Sequence, residues 1–236
     1  MIDIHTHTLP EIDDGSSSVS ESVEMLRLQY NMGVDTVIAT PHFYIEKADP
    51  KLFLETRRAA AEKLMTALDG IKERPALAFG AEVQFYPELY SLEELNSFCF
   101  SGTRYILVEM PFAKWSEYTY RALERLYTDR GVTPIVAHIE RYMGYQSDDV
   151  ISRLIEANAL VQINGNFVIS RKTRRKALGM IKDGAVCFIA SDCHNLSFRK
   201  PNLAEAFGKV TKKLGTAETE LLDYWESKVK RHLETI

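Results

Sequence analysis

Short apolar, β-branched runs recur along the chain, each closing on polar residues and most of them followed by a stretch of helical periodicity. The runs are MIDIHTH (1–7), DTVIATPHF (35–43), ALAFGAEV (76–83), RYILVEMP (104–111), TPIVAHIE (133–140), ALVQING (159–165) and VCFIASDCH (186–194). Near-continuous apolar character is what strands buried on both faces require. Between them, amphipathic helices are expected over 20–33, with Ser18 or Ser20 as N-cap and Gly33 as stop, and over 52–70, 117–131, 148–159 and 170–184. The link 87–100 reads as less clearly helical. Strand–helix alternation of this kind predicts an α/β class with parallel pairing and right-handed crossovers. Seven β/α units close most simply as a TIM-like barrel; a doubly wound open sheet is the alternative. No repeat, low-complexity segment or Gly/Ser linker divides the chain, so residues 1–236 are expected to form a single domain. The amphipathic pattern over 216–236 is expected to cap that barrel or to pack on a neighbour.

Composition narrows the partners. With 45% hydrophobic residues a substantial core is available, and the net charge of −4 gives no general attraction to nucleic acid or acidic membranes. Cys99, Cys187 and Cys193 are too few and too scattered for a disulfide framework. Neither a leader-like opening nor an apolar run of about 20 residues occurs, so a cytoplasmic protein without membrane insertion is expected.

The polar residues that close the runs carry the chemistry. They are His5 and His7, His42, Glu82, Glu109, His138, Asn164, and Asp192 with His194; five of the six histidines fall there. In a barrel all would point into one mouth, where barrel active sites are built. A lone strand-end histidine such as His42 is more often a hydrogen-bonded structural residue. His-x-His and Asp-x-His are harder to dismiss, because alternate strand residues share a face. Carboxylates after apolar runs, as at Glu82 and Glu109, are costly without a neutralising cation. Together these groups form an O/N ligand set with more members than one metal needs, which points to two or three ions acting at phosphorus. Arg141 and Arg199 lie in loops on the same mouth, and their guanidinium forks suit phosphoryl oxygens, so both are candidate catalytic and substrate-binding residues. Surface loop arginines are the plain alternative. Cys193 to Arg199 has the Cys-x5-Arg spacing of cysteine-dependent phosphatases. The segment lacks the glycine such a loop needs, though, and Pro201 follows it.

The run HTHTLPEIDDGS, followed by ATPHF, GAEV, EMP, AHIER and SDCHN…R, resembles the polymerase-and-histidinol-phosphatase (PHP) superfamily. Within it the chain is similar to the bacterial protein-tyrosine phosphatases of the CpsB/YwqE type, over residues 1 to about 205. The resemblance implies a distorted (β/α)7 barrel of the PHP type and three divalent metal ions, most often Mn2+, with iron, cobalt or zinc as alternatives. It implies one metal site from His5, His7, Glu82 and Asp192, a second from Glu82, Glu109 and His138, and a third from Asp14, His42 and His194. It also implies hydrolysis of phosphotyrosine in a protein, notably a bacterial tyrosine kinase controlling capsule or exopolysaccharide synthesis. Glu11 stands where the family commonly has glycine. A phenolate leaving group has a pKa of about 10 and departs with little protonic help. Phe43, Tyr44 and Phe167 are candidates to stack on its ring. The basic residues Arg171, Lys172, Arg174, Arg175 and Lys176 suit either a solvated helix face or the steering of an acidic phosphopeptide. The rival readings are a small-molecule phosphatase acting on a compound such as histidinol phosphate, and a non-catalytic scaffold. An oligomer is compatible with either.

Overall fold

A computed structural model of the chain describes residues 1–215 and 217–235. The strands among them are β1 Ile2–Thr6, β2 Thr36–Ala39, β3 His42–Phe43, β4 Ala76–Phe79, β5 Glu82–Gln84, β6 Tyr105–Glu109, β7 Thr133–Val136, β8 Leu160–Asn164 and β9 Phe188–Ala190. The helices are α1 Val19–Asn31, α2 Pro50–Ala67, α3 Leu95–Phe98, α4 Glu117–Thr128, α5 Val150–Glu156, α6 Gly165–Ile169, α7 Arg174–Lys182, α8 Leu203–Leu214 and α9 Ala217–Lys230. Every strand pairing is parallel, in the orders β1-β2-β4 and β3-β5-β6-β7-β8-β9. The fold is therefore α/β with curled parallel sheet, as the alternation predicts, but the expected strands do not lie in one hydrogen-bonded sheet.

The reason lies in the second and third runs. Each expected strand breaks in two, at Thr40–Pro41 and at Gly80–Ala81. Pro41 has no N–H for a ladder, and Gly80 sits against the Phe100 ring, where an added Cβ would lie 2.7 Å from a ring carbon. The first halves join β1 in the order β1-β2-β4, and the second halves continue towards β6. A single parallel bridge, Thr6 to Cys193, brings the β1 end beside the segment after β9.

Alternation along the strands separates two cores. Ile2, Ile4, Ile38, Ala78, Leu107, Ile135 and Ala190 form an inner cluster, whereas Val37, Ile106, Val108, Val136 and Ile163 join the larger core shared with the helices. Both faces of the strands are thus apolar, which explains the uninterrupted runs.

Helix ends follow local chemistry. Ser18 caps α1 by accepting the Glu21 N–H, Asp49 caps α2 with Pro50 in its first turn, and Ser116 forms a capping box with Thr119. The link after the third run is a 3-10 turn (Leu89–Ser91) and the short α3. Two helices, α6 and α8, are not signalled by the pattern; α6 begins on the residue directly after β8, leaving no loop to announce it.

The C-terminal pattern over 216–236, of which Thr216 and Ile236 lie outside the described residues, forms α9 and covers the N-terminal end of the strands. Glu226 accepts the Ile2 N–H at 3.1 Å, Lys230 pairs with Asp35 at 2.6 Å, and Val229 enters the inner cluster. The opposite end, where the strands finish, is left open.

Candidate metal centre

At that open end β1 supplies His5 and, one residue beyond it, His7; β3 supplies His42, β5 Glu82 and β6 Glu109. His138 follows β7, Asn164 ends β8, and Asp192 and His194 follow β9. His5, His7, Glu82, His138, Asp192 and His194 are buried, while His42 is 15% and Asp14 65% exposed in their side chains. The loop carrying Asp14 folds back on His7. Ser16 donates its N–H to the His7 carbonyl at 3.0 Å, and a Cβ at Gly15 would lie 2.3 Å from that oxygen, so only glycine fits.

Glu82 is the hub. Its Oε2 lies 3.1 Å from His5 Nε2, 3.3 Å from His7 Nε2 and 3.0 Å from His42 Nδ1, and its Oε1 lies 2.8 Å from His138 Nε2. Asp192 Oδ1 is 3.4 Å and 3.6 Å from the same His5 and His7 nitrogens, which are 3.2 Å from each other. Donors about 2.1 Å from one tetrahedral ion sit about 3.4 Å apart, so this spacing fits a cation. On the outer side, Asp14 Oδ1 is 3.5 Å from His42 Nε2 and 3.4 Å from His194 Nε2. His138 Nε2 is 3.9 Å from Glu109 Oε1. Donor atoms of His7, Asp14, His42 and His194, of His5, His7 and Glu82, of His5, His138 and Asp192, and of His42, Glu82 and Glu109 each lie within 4.8 Å of one another. The last two groups add His138 beside Asp192 and Glu109 beside His42, next to the His138 contacts with Glu82 and Glu109.

Hydrogen bonds fix which nitrogens face inward. His7 Nδ1–H donates to Asp13 at 2.7 Å, His5 Nδ1–H to Gln162 at 3.2 Å and His194 Nδ1–H to the Asp192 carbonyl at 3.0 Å. Their Nε2 lone pairs are thereby turned inward. For His5 and His7 two such lone pairs meet at 3.2 Å, facing carboxylates, an arrangement that only a proton or a cation relieves. The buried atoms His42 Nδ1, His138 Nδ1 and His194 Nε2 have no hydrogen-bond partner; His42 Nδ1 is near Glu82 but outside hydrogen-bonding geometry. The orphaned nitrogens of His42 and His194 lie beside carboxylates, with no thiolate among them, a donor set that could hold a divalent cation.

The electrostatics agree. Burial opposes charge on His7, yet the Asp13 and Glu82 hydrogen bonds push it up to about 10, and Glu82 and Asp192 raise His5. Burial and the His7 charge hold His194 down at about 3. Burial and the Glu82 charge push Glu109 up to about 7. His138 and Asp192 both adopt left-handed backbone conformations (φ 31° and 52°), a cost of order 1–3 kcal/mol that clusters at functional sites. Glu11 does the same (φ 58°), the conformation glycine would adopt freely.

Both arginines reach the mouth, and both are engaged there. Arg199 Nη2 donates to Asp192 Oδ1 at 2.7 Å, Arg141 Nη2 donates to Asp192 Oδ2, and Arg199 Nη1 lies 3.7 Å from Asp14. A pocket of ≈480 Å³ adjoins the centre, lined by Asp13, Asp14, His42, Tyr44, Lys47 and Phe53 among others. Tyr44 stacks on His42 (centroids 5.2 Å, 30°) and donates to Glu109 at 3.4 Å. Phe43 corrects the expectation placed on it. At 1% exposed it packs on Phe53 and Phe98 in the core, because strand alternation turns it away from its neighbour Tyr44. Phe167 is packed against the core as well. Cys193 is buried and its thiol is pushed well up by burial, so it offers no nucleophile. Of the basic cluster, Arg174 donates to the Val168 and Ile169 carbonyls, while Arg171, Lys172, Arg175 and Lys176 are exposed.

Sequence reasoning misses Asp13 and Gln162. Asp13 is the first acid of an acidic pair whose second member drew attention. Gln162 is an internal strand residue, signalled only by being polar in the apolar run ALVQING.

Comparison with known proteins follows the same line. Residues 1–228 match the family described as "Capsular polysaccharide synthesis, CpsB/CapC". The chain is 32% identical over 228 residues to the tyrosine-protein phosphatase YwqE of Bacillus subtilis, covering 92% of this chain and 86% of that protein. It is 29% identical over 238 residues to the tyrosine-protein phosphatase CpsB of Streptococcus pneumoniae, covering 94% of each. A crystal structure from work on these two, described as unique metal-dependent tyrosine phosphatases, superimposes with a TM-score of 0.83 at 26% identity, over 100% of this chain and 97% of the other.

Proposed function

The chain belongs to the CpsB/CapC family, and on that premise we propose that it is a metal-dependent phosphatase hydrolysing phosphotyrosine in proteins. The observation that carries this is the meeting of five buried or half-buried imidazoles with Glu82, Glu109 and Asp192 beside two arginines, next to a pocket of ≈480 Å³ that His42 and Asp14 share with the centre. We read the ligands as His5, His7, Asp14, His42, Glu82, Glu109, His138, Asp192 and His194, holding three divalent ions, with Mn2+ as the resident metal. We read the two curled sheets as one distorted seven-unit PHP-type barrel forming a single domain, with the Thr6–Cys193 bridge closing it. The substrate is read as a phosphotyrosine segment of a bacterial tyrosine kinase governing capsule or exopolysaccharide assembly, met in the cytoplasm, where free cysteines such as Cys99, Cys187 and Cys193 persist.

When bound, such ions supply Lewis-acid activation of water and neutralise phosphoryl charge. The chain's own groups do the rest. Asp13 and Gln162 hold the protons of His7 and His5 at Nδ1, keeping both Nε2 lone pairs directed inward. Arg141 and Arg199, with side chains 36% and 34% exposed, steady Asp192 with one edge of each guanidinium. Guanidinium groups that keep further N–H donors beside the centre are suited to the equatorial phosphoryl oxygens. Tyr44, on the pocket wall between His42 and Lys47, is read as the aromatic contact for the phenyl ring. The departing phenolate, of pKa about 10, needs no dedicated general acid.

The test is hydrolysis of a phosphotyrosyl peptide and of histidinol phosphate by Mn2+-loaded protein, by the same protein after chelation, and by Cys193→Ser. Preferred turnover of the peptide, lost on chelation and retained in Cys193→Ser, is expected. Preference for histidinol phosphate would replace the substrate, and loss of activity in Cys193→Ser would replace the mechanism.

A further inference from the structure

Gln162 is fully buried in the middle of β8, and both ends of its amide are used. Its Oε1 accepts two donors, the backbone N–H of His138 at 2.8 Å and the Nδ1–H of His5 at 3.2 Å. Its Nε2 donates to Asn164 Oδ1 at 2.9 Å, and Asn164 Nδ2 donates to Asp192 Oδ2 at 2.8 Å. The backbone N–H of His138 can only donate, so it fixes the amide orientation: oxygen towards β1 and β7, nitrogen towards Asn164. The chain of bonds therefore has one polarity from end to end.

Its three termini are His5, His138 and Asp192, whose donor atoms lie within 4.8 Å of one another. Two of those, His138 and Asp192, are the left-handed residues of the site. A residue in that conformation persists only where surrounding bonds over-determine it. Gln162 supplies such a bond to His138 through the backbone, and Asn164 supplies one to Asp192 through the side chain.

We propose that Gln162 and Asn164 form a positioning relay that orients the His5 ring through Nδ1, pins the strained His138 and aims Asp192, so that these three side chains are preorganised as a cation-binding group. The inference rests on the proposed metal centre, and it assigns a role to two residues outside its ligand set. Asp14, His42 and His194 stand outside the relay, since none of them accepts from or donates to Gln162 or Asn164 in any hydrogen bond of the described residues.

Three variants separate the arms. Gln162→Met keeps the volume and removes both acceptor and donor. Gln162→Glu keeps an acceptor for His5 and His138 but has no N–H for Asn164. Asn164→Asp keeps the acceptor for Gln162 but has no N–H for Asp192. Mn2+ affinity is measured by competition with a chelator, and the hydrogen bond of the His138 backbone N–H by its exchange rate, read by NMR of 15N-labelled protein.

All three variants are expected to bind Mn2+ about 10–100-fold more weakly, the range for loss of groups that orient ligands. The His138 N–H is expected to stay protected from exchange in Gln162→Glu and Asn164→Asp, and to lose protection in Gln162→Met. Wild-type Mn2+ affinity in Gln162→Glu or Asn164→Asp overturns the relay, as does a His138 N–H as well protected in Gln162→Met as in the wild type. If Gln162→Met does not fold, the two acidic variants decide. None of these readouts needs turnover, so an inert wild-type enzyme would sink the proposed reaction while leaving the relay intact.

Discussion

Asp13→Asn is the most informative single perturbation of the metal-free site. Asp13 Oδ2 accepts the His7 Nδ1–H at 2.7 Å and the His42 N–H at 3.0 Å, and its Oδ1 accepts the Gly15 N–H at 2.9 Å. All three partners are donors, so an asparagine must turn its NH2 against at least one of them. Burial would raise the Asp13 carboxyl, but the hydrogen bond and charge of His7 overcome it and lower it from 3.8 to about 2. A shift of that size corresponds to about 2 kcal/mol. A buried donor left unsatisfied adds ~1 kcal/mol. The metal-free variant is therefore expected to lose about 3 kcal/mol, a large share of the roughly 5–15 kcal/mol of a typical domain.

The pH dependence is equally specific. Against the burial that lowers it, the Asp13 and Glu82 hydrogen bonds raise His7 from 6.5 to about 10. The stabilisation from its charge is thus complete below about pH 6.5 and lost as pH rises through about 10. The Asp13 contribution has the opposite sign, being complete above 3.8 and lost as pH falls through about 2. The gap between wild type and variant should be widest between about pH 4 and 6.5 and should shrink towards pH 10 to the hydrogen-bond part alone, ~1 kcal/mol. Urea unfolding of chelator-stripped protein, followed by tryptophan fluorescence at several pH values across this span, measures it. A gap under about 0.5 kcal/mol at the acidic end, or one that does not change with pH, refutes the account.

Arg199→Lys should lower kcat/KM for a phosphotyrosyl peptide by about 10–100-fold, because a point charge cannot both steady Asp192 and fork onto a phosphoryl group; a full retention of kcat/KM would remove Arg199 from the site. Phe43→Ala should cost about 3–5 kcal/mol in denaturant unfolding while leaving the KM of the folded enzyme near wild type, since its ring fills the Phe53–Phe98 core. Tyr44→Ala, on the pocket wall, should do the reverse, raising KM with little loss of stability. Glu11→Gly should raise the unfolding free energy by about 1 kcal/mol, by relieving the left-handed backbone at φ 58° at the cost of an exposed pair with Lys63; no gain in a thermal melt would show that the loop bears no strain.

Much of the site was legible because its residues interrupt a strong pattern. An imidazole or carboxylate at the end of a buried apolar run is conspicuous, and His5, His7, His42, Glu82, Glu109, His138, Asp192 and His194 all stand at such ends. The supporting residues were not, for a physical reason. Asp13 and Gln162 act through hydrogen bonds to partners 6 and 157 positions away, which no spacing rule encodes. Phe43 shows the limit from the other side. Adjacent strand residues face opposite ways, and only the structure shows which of Phe43 and Tyr44 faces the pocket.

By itself the sequence determined the α/β class, the position of α1 between a serine cap and Gly33, and the chemical types that gather at one end of the strands. These follow from local periodicity, caps and the cost of burying charge, all of which act over a few residues. The tertiary structure alone decided that the second and third runs break at Pro41 and Gly80 and share their halves between two sheets. It alone decided that both arginines close on Asp192, and that His138 comes within reach of Asp192 as well as of Glu82 and Glu109. Those outcomes depend on how distant segments pack against one another, at Phe100 beside Gly80 and at Gln162 between β1, β7 and β9. Packing of that kind is a property of the assembled fold and of no single stretch of chain.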